Sequence, residues 1–199
     1  MVLGVWYLMR IGLLGGTFNP VHLGHLLLAE GAKRCLSLDL LLWIPLHLPP
    51  HKSMESRVSP EDRARMVELA IQGHPAYRLS RVELDRQPPS YTIDTVRQLQ
   101  EIFPERGNEW FLLVGSENAR ELPHWREFTE LRKKVQFVAV LRPGDPVEGH
   151  QPPGVKRLSI TTANISSSNI RQRVRQGLEI RHLVPDAVRN FIEEKGLYR

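Results

Sequence analysis

Two histidines three residues apart stand behind a glycine pair in the segment Gly15-Gly16-Thr17-Phe18-Asn19-Pro20-Val21-His22-Leu23-Gly24-His25. Glycine lets the backbone approach an anion closely, and a helix N-terminus presents unpaired N–H groups with a partial positive charge. At i and i+3, His22 and His25 project from one helical face. Together these features predict a site for the phosphates of a nucleotide. Zinc is the competing chemistry for two histidines. It needs further ligands, and the helical zinc motif spaces its histidines at i and i+4 with a glutamate between them. The dinucleotide-binding fingerprint does not fit, because the glycine spacing differs and no acidic residue closes the second strand about twenty residues on. A P-loop is excluded too, since no Gly-Lys-Ser/Thr follows.

Four further segments carry polar chemistry. Ile165-Ser166-Ser167-Ser168-Asn169-Ile170-Arg171 sets hydroxyls at a helix opening and an arginine in its first turn. Serine caps a helix, and a planar guanidinium grips phosphate with two parallel donors. Pro49-Pro50-His51-Lys52 places a cation on a long loop. Pro89-Ser90-Tyr91-Thr92-Ile93-Asp94-Thr95 caps another helix with hydroxyls. Val114-Gly115-Ser116-Glu117, followed by Leu122-Pro123-His124-Trp125, sets an acid and an indole behind an apolar strand. Taken singly, each has a plainer meaning: a capped helix, a solvated lysine, a core tryptophan.

The elements that must hold these residues alternate. Strands are predicted at Met9–Leu14, Asp39–Pro45, Glu109–Val114, Val135–Leu141 and Lys156–Ile160, with one or two short ones across Tyr77–Leu84. Helices are predicted at Leu23–Leu36, from the Ser59 cap to Gln72, and at Thr92–Phe103, Trp125–Lys134, Ser167–Gln176 and Pro185–Lys195. Continuous apolar runs such as Leu40-Leu41-Leu42-Trp43-Ile44 suit strands covered on both faces. Alternating strands and helices predict an α/β fold with a mostly parallel sheet and helices on both faces. Ligands of such sheets sit beyond the carboxyl ends of the strands.

The bulk composition is that of an ordinary globular chain, with 199 residues, 41% apolar and 25% charged. One domain spanning 1–199 is expected, residues 1–8 forming an N-terminal extension. No apolar run is long enough to span a membrane. The lone Cys35 excludes an internal disulfide, fits a reducing cytoplasm, and is expected to be a buried, inert thiol on an apolar helix. A net charge of +5 favours anionic partners. The cations are scattered, without the dense basic tract that nucleic-acid binding favours.

The first segment resembles the Gly-Thr-Phe-x-Pro-x-His-x-Gly-His signature of the nucleotidylyltransferase superfamily, and the Ile165–Arg171 segment resembles its Ile-Ser-Ser-x-x-Ile-Arg box. Pro49–Lys52, Pro89–Thr95, Val114–Trp125, Val140-Leu141-Arg142-Pro143-Gly144 and Gly196-Leu197-Tyr198-Arg199 resemble, in order and spacing, the bacterial nicotinate-mononucleotide adenylyltransferases. The likeness runs from Met9 to Arg199. It implies a Rossmann-like doubly wound fold, and transfer of an adenylyl group from ATP to nicotinate mononucleotide, giving deamido-NAD and pyrophosphate in NAD biosynthesis. It also implies that Gly15, Gly16, Thr17, Phe18, His25, Ser167, Ser168 and Arg171 bind ATP, with His22, His25 and Arg171 catalytic. Asn19, Lys52, Ser90, Tyr91, Thr92, Glu117, Trp125 and Arg142 are implied for the mononucleotide. Of these, Trp125 would stack on the pyridine, Thr92 would receive the carboxylate, and Lys52 and Arg142 would hold phosphate. Mg²⁺ would enter on the ATP phosphates, without protein ligands. Asn19 and Glu117 stand where Asp is common in these enzymes, and Arg126 where an aromatic is frequent. Two alternatives are carried forward. One is a sibling transferase acting on nicotinamide mononucleotide or phosphopantetheine. The other is a non-catalytic, basic nucleic-acid-binding protein. The expected partners are ATP and the mononucleotide, with no nucleic acid and no membrane; a homo-oligomer is left open.

Overall fold

The computed structural model describes residues 8–47, 58–104, 107–141, 152–160 and 165–199, with the backbone alone at Glu117. Its strands are β1 (Arg10–Gly16), β2 (Leu40–Pro45), β3 (Tyr77–Leu79), β4 (Glu109–Gly115), β5 (Gln136–Leu141) and β6 (Lys156–Ser159). Its helices are α1 (Leu23–Cys35), α2 (Pro60–Ile71), α3 (Thr92–Ile102), α4 (Ser116–Glu121), α5 (Phe128–Lys134), α6 (Ser167–Arg175) and α7 (Asp186–Glu194). The strands form one sheet in the order β3-β2-β1-β4-β5-β6. Neighbours pair in parallel throughout, with Leu14 opposite Trp43 of β2 and Leu113 of β4. This is the doubly wound, Rossmann-like order, in which the chain reverses its direction of travel between β1 and β4.

Alternation along each strand explains the two cores. Trp43, Phe111, Leu113, Val138 and Val140 face one side, where they meet Ala29 and Ala32 of α1, Met66 and Val67 of α2, Ile170 of α6 and Val188 and Ile192 of α7. Ile11, Leu13, Leu42, Leu112 and Phe137 face the other, against Ile93, Val96 and Leu99 of α3, Ala119 of α4 and Leu131 of α5. Strands covered on both faces read as unbroken apolar runs, which is why they were legible. A Cβ at Gly12 would come within 2.6 Å of the Leu38 side chain, so the bare backbone there is what lets that leucine seat against β1.

Four expectations need correction. Cys35 is exposed. The buried face of α1 runs through Leu28, Ala29 and Ala32, then passes to Leu36, which packs on the core and leaves Cys35 outside. The strand expected across Tyr77–Leu84 stops at Leu79, and turns follow it. The helix expected from Trp125 starts at Phe128, because Trp125 is extended and Glu127 adopts a left-handed φ of 53°. Finally, β1 runs on through Gly15 and Gly16, which sequence reasoning assigned to the turn.

Candidate active site

The segments that follow Gly16 and Gly115, the last residues of adjacent strands β1 and β4, leave the carboxyl ends of those strands at the reversal point. In doubly wound sheets that crevice is where ligands bind. Gly16 is required there by packing. A Cβ would lie 2.9 Å from Phe18 Cζ, so only glycine lets the Phe18 ring fold back over the strand end. Phe18, at a positive φ of 49°, makes that reversal. Its ring then lies edge-on to His25 at 5.2 Å and tilted against Trp43 at 5.5 Å.

His22 is the N-cap of α1 and buried, and His25 is the third residue of the helix. Their rings stack at 3.7 Å between centroids. The His22 backbone N–H donates to His25 Nδ1 at 3.2 Å. That bond assigns the neutral tautomer of His25: Nδ1 accepts, so the proton resides on Nε2 as a donor.

The Ser166–Arg171 segment closes on the turn before α1. Ser166 caps α6 by accepting from the Asn169 N–H at 3.1 Å. Ser167 Oγ donates to the Pro20 carbonyl at 2.9 Å. Arg171 Nη1 donates to the Asn19 carbonyl at 2.9 Å, across 152 positions of sequence, and its Nη2 donates to Ser168 Oγ at 3.3 Å. Two helix openings, one with imidazoles and one with a guanidinium, therefore border one crevice.

Sequence reasoning gave no role to two groups that hold this turn. Arg63 of α2 is fully buried and donates to the carbonyls of Thr17 at 2.7 Å, Leu46 at 2.7 Å and His47 at 2.8 Å. It ties the exits of β1 and β2 together. Burial pulls its pKa down, while nearby Tyr198 pulls it up. A signal existed, because Arg63 interrupts the apolar stripe that continues at Val67 and Ala70. Tyr198 is the second group. It is buried and its hydroxyl donates to Asn19 Oδ1 at 2.7 Å. Burial pushes the phenol up from its ordinary pKa, against the pull of Arg171 and Arg63.

On the other face of the sheet, α3 begins at Thr92 with Tyr91 as N-cap. The Tyr91 carbonyl accepts from the N–H groups of Asp94 at 3.1 Å and Thr95 at 3.2 Å. Tyr91 and Trp125 are partly buried on the same core cluster. The Arg126 guanidinium lies 4.5 Å over the Tyr91 ring. Beneath this opening, Arg86 Nη2 donates to Thr95 Oγ1 at 2.8 Å, and Thr95 Oγ1 donates to Glu83 Oε1 at 2.7 Å. Burial pushes the Glu83 carboxyl up, opposed by the Thr95 bond and Arg86. Ser90 is partly buried at the start of this helix. Glu117 lies in the first turn of α4, directly after β4. Lys52 and Arg142 lie outside the described residues.

A family model described as cytidylyltransferase-like matches residues 13–173. The chain belongs to the cytidylyltransferase-like family. Within that family it is 46% identical over 189 residues to a Geobacillus kaustophilus protein named "Probable nicotinate-nucleotide adenylyltransferase", covering 95% of this chain and 86% of the relative. A Thermus thermophilus protein of the same name is 44% identical over 192 residues, covering 96% of this chain and all of the relative. The fold matches the solved structure of Plasmodium falciparum nicotinic acid mononucleotide adenylyltransferase complexed with NaAD at a TM-score of 0.78 and 17% identity, covering 96% of this chain and 97% of that one. No helix among the described residues of this cytidylyltransferase-like chain is long and apolar enough to cross a membrane.

Proposed function

We propose that this chain is a nicotinate-nucleotide adenylyltransferase, joining ATP to nicotinate mononucleotide to give deamido-NAD and pyrophosphate. The observation that carries the site is the Arg171 bond to the Asn19 carbonyl at 2.9 Å, with Ser167 on Pro20 beside it. Two helix openings thereby share one crevice at the sheet's reversal point, an arrangement that supports the binding of one triphosphate between them. The names of relatives more than 40% identical over nearly the whole chain supply the acceptor.

In this reading one domain performs the reaction in the cytoplasm. Gly15, Gly16, Thr17, Phe18, His25, Ser167, Ser168 and Arg171 bind ATP. His22, His25 and Arg171 act on the reacting phosphates. Asn19, Lys52, Ser90, Tyr91, Thr92, Glu117, Trp125 and Arg142 hold the mononucleotide. Helices that follow parallel strands begin at the strands' carboxyl ends, so the α3 N-terminus offers its N–H groups to the nicotinate carboxylate on the crevice side. The partly buried Trp125 presents an indole beside it for the pyridine.

A phosphate monoester has a second pKa of about 6, so the nucleophile is already dianionic at neutral pH and needs no general base. Its oxygen forms a bond to the α-phosphorus of ATP while the α–β bridging bond breaks, and pyrophosphate leaves with that electron pair. One anion must approach another, so catalysis is positioning and charge stabilisation. His25 Nε2–H and the Arg171 fork supply preorganised donors for the phosphate oxygens. Mg²⁺ would enter with ATP as part of the substrate and would supply partial neutralisation of its charge.

The test is a parallel assay of pyrophosphate and dinucleotide formation with nicotinate and nicotinamide mononucleotides. Stoichiometric pyrophosphate and deamido-NAD, with at least a tenfold kcat/KM preference for the acid, is the expected outcome. Preference for the amide, or for phosphopantetheine in the same assay, replaces the acceptor. No release with any of these acceptors removes the enzyme reading.

A further inference from the structure

We infer that the Tyr198 hydroxyl is a positioning group for adenylyl transfer, acting through Asn19; the inference rests on the function proposed above. The turn Thr17–Pro20 is held by donors from separate parts of the chain. Arg63 grips the Thr17 carbonyl at 2.7 Å, Arg171 the Asn19 carbonyl at 2.9 Å and Ser167 the Pro20 carbonyl at 2.9 Å. Those three bonds fix the main chain. Tyr198 adds the side-chain restraint, 2.7 Å from Asn19 Oδ1 and 179 positions away in sequence.

The bond is placed where it matters energetically. Both residues are 8% exposed, so water is poorly placed to replace the hydroxyl if it is removed. Arg63 and Arg171 both act electrostatically on the phenol from nearby. Asn19 thus joins Tyr198 through its side chain to Arg171 through its carbonyl. A shift of Asn19 is transmitted to the guanidinium that faces the triphosphate. Displacements of about 1 Å in a reacting geometry cost roughly a hundredfold in rate, so a small relaxation suffices to slow turnover.

Tyr198→Phe removes the hydroxyl and keeps the ring. The expected result, measured far below the melting temperature, is a fall in kcat of about tenfold in the folded variant. The loss must also be non-additive: Tyr198→Phe adds nothing to Asn19→Ala. Arg199→Ala, one residue on, keeps wild-type turnover. A purely structural tyrosine lowers the melting temperature and leaves kcat of the folded protein unchanged. A folded Tyr198→Phe with kcat within twofold of wild type overturns the inference. Should that variant not fold, Asn19→Ala with Tyr198 intact carries the test, with the same tenfold loss expected and unchanged turnover overturning it. A wild-type chain that forms no deamido-NAD sinks the proposed function instead. The hydroxyl is then judged by calorimetric ATP affinity, which is expected to fall about tenfold in Tyr198→Phe and, if unchanged, overturns the inference as well.

Discussion

His25 is the residue on which the chemistry turns most directly. Its Nδ1 is occupied by the His22 N–H at 3.2 Å, so its remaining nitrogen is a committed donor. Removing one preorganised donor to developing charge costs on the order of a hundredfold in rate. His25→Ala should lower kcat by about that factor while leaving the mononucleotide KM within threefold; near-normal turnover in steady-state assays would count against the assignment. Trp125 tests the other substrate. Trp125→Ala should raise the mononucleotide KM about tenfold, as losing an aromatic stack on a base does, with the ATP KM unmoved. An unchanged mononucleotide KM returns the indole to the core it already touches. These residues were legible because their signal is local: imidazoles at i and i+3 behind a glycine pair, an indole behind a strand. The roles of Arg63 and Tyr198 were not, although Tyr198 lies in a segment that resembles the family, since what they hold lies 46 and 179 positions away and is recognised only once the chain has folded. A buried arginine bonding three carbonyls has no sequence pattern beyond its intrusion into an apolar stripe.

At the scale of elements, the strand-to-helix turn separates packing from binding within two neighbouring residues. A Cβ on Gly16 meets Phe18 Cζ at 2.9 Å, and that ring is wedged between His25 and Trp43. A Cβ on Gly15 meets nothing within 4 Å. Overpacking a fitted ring costs about 1–3 kcal/mol, whereas Gly15 bears on open space at the crevice. Gly16→Ala is therefore expected to lower thermal stability by that amount in a calorimetric scan. Gly15→Ala should melt like the wild type and instead weaken ATP binding, because its methyl stands where phosphate approaches. If the two variants behave alike, the geometry of this turn is wrong. The four central strands β1, β2, β4 and β5 were readable because their apolar runs are buried, whereas the edge strands β3 and β6 carry exposed positions. The region after β4 was not readable. Among the described side chains of α4, Ser116–Glu121, only Ala119 reaches the apolar core, so no periodic stripe announced a helix. The left-handed Glu127 broke the continuous helix that the stretch Trp125–Lys134 suggested.

For the whole molecule, the consequence of the parallel sheet is that one ligand bridges distant parts of the chain. The turn between β1 and α1 meets α6 through side chain-to-carbonyl bonds, from Ser167 to Pro20 and from Arg171 to Asn19. A ligand that binds only this folded arrangement stabilises it by mass action. At a hundredfold excess over the dissociation constant the gain is about 2.7 kcal/mol. For a chain of 199 residues, each kcal/mol raises Tm by roughly 2–4 °C. MgATP at that excess should therefore raise Tm by roughly 5–10 °C. Arg171→Ala, at the same MgATP concentration, should lose most of the rise. The contrast separates crevice binding from nonspecific attraction of anions to a chain of net charge +5. Nonspecific attraction would be weakened in proportion to total charge, so removing one arginine among 27 basic residues would barely alter the rise. It would also fade steeply with added salt, whereas a shift carried by the crevice should persist in part through 0.15 M salt, because partly buried pairs are screened less than exposed ones. An equal shift in Arg171→Ala and wild type would mean that the two helix openings do not act on the same triphosphate.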